Sequence, residues 1–245
     1  VAAARIPFYQ RKGDREGYLG YPYKHWWRYQ LTCNDRIRLG LVASQDAGEP
    51  FFSHQNRWGY DYYSVYLQLK QLGRFESLIL GRYKISMGMG LVMNSSFGMG
   101  KMARLQNLGR PSNLIRPHAS RSASDYLQGA AASIHLTKAL SVTAFASYRG
   151  MDATLNKDGE AATIVTSGYH RTEKEMEKKN NLKNATFGGS LRYAGSGFHL
   201  GANVLYTHLN RRLSPNTSIL YRQHYPQGTD FLNASTDYGY VNHRL

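Results

Sequence analysis

The sequence is poor in the features that mark several common protein classes. Its single cysteine, Cys33, leaves no partner for an internal disulfide, so no disulfide framework holds the fold. There are only seven prolines, and no stretch approaches the ~20 consecutive apolar residues of a membrane-spanning helix. The longest apolar runs, such as Leu39 to Ala43 and Leu91 to Met93, are short and have polar flanks. Together with a mean hydropathy of −0.52, this excludes a bundle of membrane helices. It does not exclude a transmembrane β-barrel, whose lipid-facing residues alternate with lumen-facing ones and leave no long apolar run. Acid is also scarce: 16 Asp and Glu stand against 31 Lys and Arg, a formal net charge of +15. Such an excess favours anionic partners such as nucleic acid, lipid phosphates or anionic solutes.

What is abundant is tyrosine, at 19 residues, and glycine, at 24. Tyrosine suits strands and sits well at a membrane–water boundary, where one end of the ring is wet and the other dry. The apolar pattern has a period of two, as a half-buried strand requires. Trp27, Tyr29, Leu31 and Cys33 alternate with Arg28, Gln30 and Thr32, and after Asn34-Asp35 the residues Ile37, Leu39, Leu41 and Ala43 alternate with Arg36, Arg38 and Gly40. A second hairpin runs from Val65, Leu67 and Leu69 through Gly73-Arg74 to Ile79, Gly81, Tyr83, Ile85 and Met87. A third is Ala-rich at its start and returns after Thr137-Lys138 as Leu140, Val142, Ala144, Ala146 and Tyr148. The fourth pairs Phe187, Gly189, Leu191 and Tyr193 with Phe198 to Tyr206 across Gly195-Ser196-Gly197, and a ninth strand starts near Ala234.

Every second connection is tight, near 34, 73, 137 and 196, and those between are long, at roughly 45–61, 88–125, 150–184 and 208–233. A soluble sandwich has no physical reason to sort its loops by side, whereas an outer-membrane barrel has short periplasmic turns and longer extracellular loops. The expected fold class is therefore all-β, an antiparallel transmembrane β-barrel, and a piece of a larger one. Residues 1–22 read as a lead-in, and 23–245 as a partial barrel of about nine strands that is cut off at its C-terminal end. The expected location is the bacterial outer membrane.

If the apolar face of each strand meets lipid, the other face holds Arg28, Arg36, Arg38, Lys70, Arg82, Lys84, Arg149 and Arg192, with Glu76 as its acid. A charge on the lipid face near mid-bilayer costs ~2–4 kcal/mol, so pattern and charge agree on a basic interior. Basic side chains along a pore favour anions. The structural alternative is that Arg36, Arg38 and Arg192 simply meet lipid phosphates or an acidic plug near the turns. Within 88–125, the run from Lys101 to Arg121 is rich in bases and has no acid; Lys101, Arg104, Arg110 and Arg116 are expected to fold inward as a constriction or to cover the mouth. Trp26, Trp27, Tyr62, Tyr63 and Tyr148 read as interfacial aromatics. The stretch Arg171 to Lys179 has the composition of a solvated surface helix.

No catalytic residue, metal site or cofactor is expected. Gly98-Met-Gly-Lys101 fails as a phosphate loop, because Ser95 stands where the first Gly belongs and Met102 where Ser or Thr belongs. There are nine His but no HExxH spacing, and His118, His170 and His224 stand alone in loops. The grouping of His118, Ser120, Ser122 and Asp125 reads as chance.

Several strings carry a resemblance: Gly81 to Val92, Asn107-Leu-Gly-Arg110, Ile115 to Ser122, Asp152 to Gly159 and Thr166 to Thr172. From about Tyr60 onward the chain resembles the barrel region of large outer-membrane-type proteins of Bacteroidota that carry helix-hairpin-helix repeats. The resemblance implies a barrel with an upstream helical part, and through that part a link to DNA; no such repeat lies within these residues. Two functions follow as expectations. One is porin-like passage or binding of anionic solutes or polymers. The other is a non-conducting barrel subunit or docking scaffold of an outer-membrane complex. The expected partners are outer-membrane lipid and lipopolysaccharide, other outer-membrane proteins, and nucleic acid by resemblance alone.

Overall fold

The computed structural model of the chain describes residues 2–5, 17–94, 113–218 and 220–240. The chain is all-β, with its strands in one sheet that takes a barrel-like arrangement. In chain order these are β1 (Ala2–Arg5), β2 (Lys24–Cys33), β3 (Ile37–Gln45), β4 (Tyr62–Leu72), β5 (Phe75–Ser86), β6 (Leu114–Pro117), β7 (Leu127–His135), β8 (Leu140–Leu155) and β9 (Ala161–Val165). A one-turn helix, α1 (Glu173–Met176), precedes β10 (Leu182–Gly195), β11 (Phe198–Leu213) and β12 (Gly228–Tyr240). The sheet order is β1-β2-β3-β4-β5-β7-β8-β10-β11-β12, each neighbour antiparallel, with β6 beside β5 and β9 beside β8 and β11. Neighbours in sequence are thus neighbours in space, the mark of an up-and-down meander. Residues 2–5 of the lead-in join the sheet by pairing with β2.

The tight turns lie where the sequence places them. Asn34 and Asp35 take left-handed backbone (φ 48° and 52°), and Ser196-Gly197 does so at both central positions (φ 53° and 79°). Those conformations match the twist of a hairpin, which is why Asn, Asp and Gly are found there. Several strands run further than the periodicity indicates. β8 continues to Leu155, and residues 161–165 fold back on it as β9, enclosing Ala153, Ala161, Leu182 and Leu209. The helix expected over Arg171 to Lys179 is a single turn. Thr172 caps it by accepting the Glu175 N–H, and Met176 is buried beneath it.

Register separates the two faces of the sheet. Leu31, Leu39 and Leu67 align outward across β2, β3 and β4, as do Val142, Leu191 and Ala202 across β8, β10 and β11. Tyr29, Val65, Leu80, Phe187, Leu191, Leu200, Val204 and Leu232 are exposed. The opposite face is small and polar, with Gln68, Ser77, Ser133, Thr143, Ser190 and Asn203 buried. Gln68 donates to Ser77, and Thr143 to Ser133.

β5 corrects the expectation for its faces. Ile79, Tyr83, Ile85 and Met87 are buried, while Leu80 is 46% exposed. The β4–β5 pairing ends at Tyr66–Gly81; above it β5 pairs with β6 over Tyr83 to Ser86. The Ser64 hydroxyl donates to the His118 carbonyl, so the end of β6 takes the place beside β4 that β5 has left. Gly81 (φ +98°) permits that departure: a Cβ there would collide with the Val65 carbonyl. Ile79, Tyr83, Ile85, Met87 and Ile115 then pack with Leu127, Phe145 and Leu205 in one apolar core. The chain continues across the interior. The Gly88 N–H donates to Asn113, whose amide donates to Ser190 on β10. A Cβ on Gly88 would come within 2.5 Å of Asp237 on β12 and 2.7 Å of Asn203 on β11.

Candidate functional site

Three long connections meet at the end of the barrel opposite the tight turns. Residues 46–61 join β3 to β4, 118–126 lead into β7, and 166–181 lead into β10. Their common point is His170, only 5% exposed. Its Nδ1 lies 2.6 Å from Asp61 Oδ2 and its Nε2 lies 3.0 Å from Asp152 Oδ2. Lys179 Nζ donates to Asp61 at 2.8 Å and to Asn56 at 2.6 Å, and Asn56 in turn donates to Asp61. Glu49, 1% exposed, accepts the His170 N–H on one carboxyl oxygen and the Asp46 N–H on the other. The one-turn helix sets the spacing: it carries the chain from His170 round to Lys179, so that both cations reach Asp61.

The electrostatics follow from this geometry. A ring with a carboxylate at each nitrogen donates from both, so His170 is an imidazolium. Burial alone would lower its pKa; the hydrogen bonds to Asp152 and Asp61 outweigh it and raise the value to about 9. Burial would raise Asp61, but the bonds and charges of His170 and Lys179 hold it below the ordinary carboxylate range. Burial, with the charge of Asp61, pushes Glu49 up to about 8 against its two backbone N–H donors. Near neutral pH two cations therefore face two carboxylates and one protonated carboxyl, a balanced set in a poorly hydrated place.

This arrangement is a clasp between loops. An imidazolium has no lone pair with which to act as a base, and a metal ligand must be neutral imidazole. Glu49, Asp61 and His170 do offer ligand atoms within 4.8 Å of one another. A cation there would have to displace both the His170 proton and the Lys179 ammonium. Beside the clasp lies a cavity of about 280 Å³, lined by Arg82, Tyr126, Arg149, Asp152 and Lys179 among others.

The structure distributes the expected basic residues rather than aligning them. Arg28, Arg38, Lys70, Arg149 and Arg192 have inward-face register partners, in order Val42, Gln68, Ser77, Asn184 and Gly201. Arg36 lies in a tight turn and is exposed. Arg82 and Lys84 alternate with the buried residues of β5; Arg82 is held between the Tyr62 and Tyr126 rings, and Lys84 is in register with exposed Arg116. Lys101, Arg104 and Arg110 lie outside the described residues. Of the aromatics expected at an interface, Tyr148 is exposed on the outer face, whereas Tyr62 is buried and its hydroxyl donates to the Ser120 carbonyl. His118 meets the carbonyl of Ser122 and not a serine hydroxyl, which leaves that grouping without a nucleophile–base pair.

The sequence reading missed the clasp. His170 reads as solitary because its partners are 109 and 18 residues away, and no spacing rule links them. The one usable cue is the scarcity of acid, since three of the 16 acids, Asp46, Glu49 and Asp61, fall within one connection, 46–61. No family model, curated protein or solved structure matches the chain.

Proposed function

We propose that this chain forms part of an outer-membrane β-barrel whose bore is filled by its own residues, and that it serves as a non-conducting, docking component of an outer-membrane assembly. The observation that carries this reading is the crossing of the interior by 85–94 and 113–118. That crossing joins β5 to Ser190 on β10 and brings Gly88 against Asn203 and Asp237 on β11 and β12. An interior packed around Ile79, Tyr83, Ile85 and Phe145 has no continuous aqueous path where that core lies. The membrane part of the proposal rests on the outward band of Leu, Val, Phe and Tyr. So large an apolar surface on a soluble monomer would be a liability. The tight turns then face the periplasm and the clasped loops face outward, where a partner protein or lipopolysaccharide meets them.

Reconstituted into a planar bilayer under a salt gradient, the full-length protein is expected to give no sustained single-channel current. The double variant Gly88→Leu, Tyr83→Ala, which disrupts the crossing segment, is expected to leak. A steady anion-selective current from the wild type would contradict the filled bore and restore the basic conduction path.

A further inference from the structure

Arg82 and Arg149 reach the cavity beside the clasp from two different strands, β5 and β8. Both guanidiniums stack on Tyr126, at 4.3 and 4.7 Å from the ring centre, and Arg82 also lies 4.6 Å from the Tyr62 ring. Stacking fixes a guanidinium plane and leaves its N–H edge for a hydrogen-bonding partner. Part of that edge is used: Arg82 meets the Tyr62 hydroxyl and Arg149 the Tyr126 hydroxyl. Arg82 Nε donates to Gln128, and Arg149 donates to the Ser124 carbonyl and meets Met151 Sδ. Arg82 Nη1 and Arg149 Nε are buried and have no hydrogen-bond partner.

Neither arginine has a carboxylate at ion-pair distance among the described residues, although acids are near. Asp61 and Asp152 are committed to His170 and Lys179. Asp125 lines the same cavity but lies beyond ion-pair reach of either guanidinium. Two cations share one aromatic ring, partly removed from water, with Asp125 acting on Arg149 only from beyond ion-pair distance, a costly arrangement that a bound anion would complete. The remaining walls include Met151, Ile164 and Val165, so the space suits a charged head with a small apolar body.

We propose that this cavity is an oxyanion-binding site, taking a phosphate or carboxylate group between Arg82 and Arg149 with Tyr126 as their common platform. The site does not depend on the membrane reading, since its residues are held by protein contacts alone.

The test is calorimetric titration of the full chain in detergent, at constant ionic strength in chloride, with inorganic phosphate and separately with acetate. Saturable one-to-one binding of at least one of them is expected. Preference for phosphate assigns a phosphoryl ligand, and preference for acetate a carboxylate. Losing a charge-assisted hydrogen bond of this kind weakens binding about tenfold or more, so Arg82→Gln and Arg149→Gln should each do so. Lys157→Gln, which removes an exposed charge elsewhere, should change nothing. Arg149→Lys keeps the charge and loses the planar fork; it serves if a glutamine variant fails to fold, and is expected to bind several-fold more weakly. Absence of saturable binding by the wild type, or equal binding by folded Arg82 and Arg149 variants, would overturn the proposal.

Discussion

Replacing His170 with alanine is expected to open the loop end of the barrel. Breaking a buried ion pair by removing one partner costs about 3–5 kcal/mol, because the remaining charges stay buried. Here, among the described residues, Asp152 keeps the Asn180 N–H on its other oxygen, and Asp61 keeps Lys179 and Asn56. In native-state hydrogen exchange that loss corresponds to about a hundredfold to several thousandfold faster exchange across 46–61 and 166–181. The tight-turn end should be unaffected, and His224→Ala, on an exposed residue, should do nothing. Unchanged exchange in the His170 variant would show that the clasp does not hold the loops.

The same clasp makes the loop end sensitive to alkali. His170 is raised to about 9 from an ordinary 6.5, so its contribution is full below the ordinary value and is lost as pH rises through 9. Glu49 is raised to about 8, so the folded state holds a proton that the unfolded state has released above its ordinary 4.5; this too weakens the fold as pH rises. Both shifts have the same sign. Loop protection should therefore fall between neutral pH and about 9. Asp61, held low, opposes them, and it acts on the acid side of its ordinary 3.8.

Tyr83→Ala is the second large effect. The ring is fully buried, lies 6.5 Å from Phe145, and its hydroxyl donates to the carbonyls of Ala130 and Ala146. Truncating a buried aromatic of this kind costs about 3–5 kcal/mol. Tyr83→Phe keeps the packing and removes only the hydrogen bonds, for about 1 kcal/mol. Urea midpoints in detergent should rank wild type, Tyr83→Phe and Tyr83→Ala in that order with clear separation. A near-neutral Tyr83→Ala would mean that the interior is not packed around β5.

The meander was legible because three signals agree: period-two alternation, Asn-Asp and Ser-Gly at the tight turns, and the sorting of short and long connections. β5 was misread for a physical reason. One face carries Leu78 and Leu80 but also Arg82 and Lys84, the other Ile79, Ile85 and Met87, so charge and apolarity alternate in a way that marks the wrong face as inward. The departure of β5 from β4 at Gly81 depends on a contact with Val65 that no local pattern encodes. Of the four bases expected to form a constriction or a cover over the mouth, only Arg116 lies among the described residues. The clasp and the Arg82–Arg149 pair were invisible because each joins residues far apart in sequence, and their spacing exists only once the loops meet.

On the proposed function the outer face of the sheet meets lipid while the inner face is packed. Spin labels at single cysteines, in a Cys33→Ser background and in lipid vesicles, test it directly. Labels on Val204→Cys and Leu191→Cys should collide freely with oxygen and rarely with an aqueous nickel complex, while labels on the adjacent inward residues Asn203→Cys and Ser190→Cys should meet neither. Ready collision with nickel at positions 204 and 191 would contradict the account and make this a water-exposed sheet.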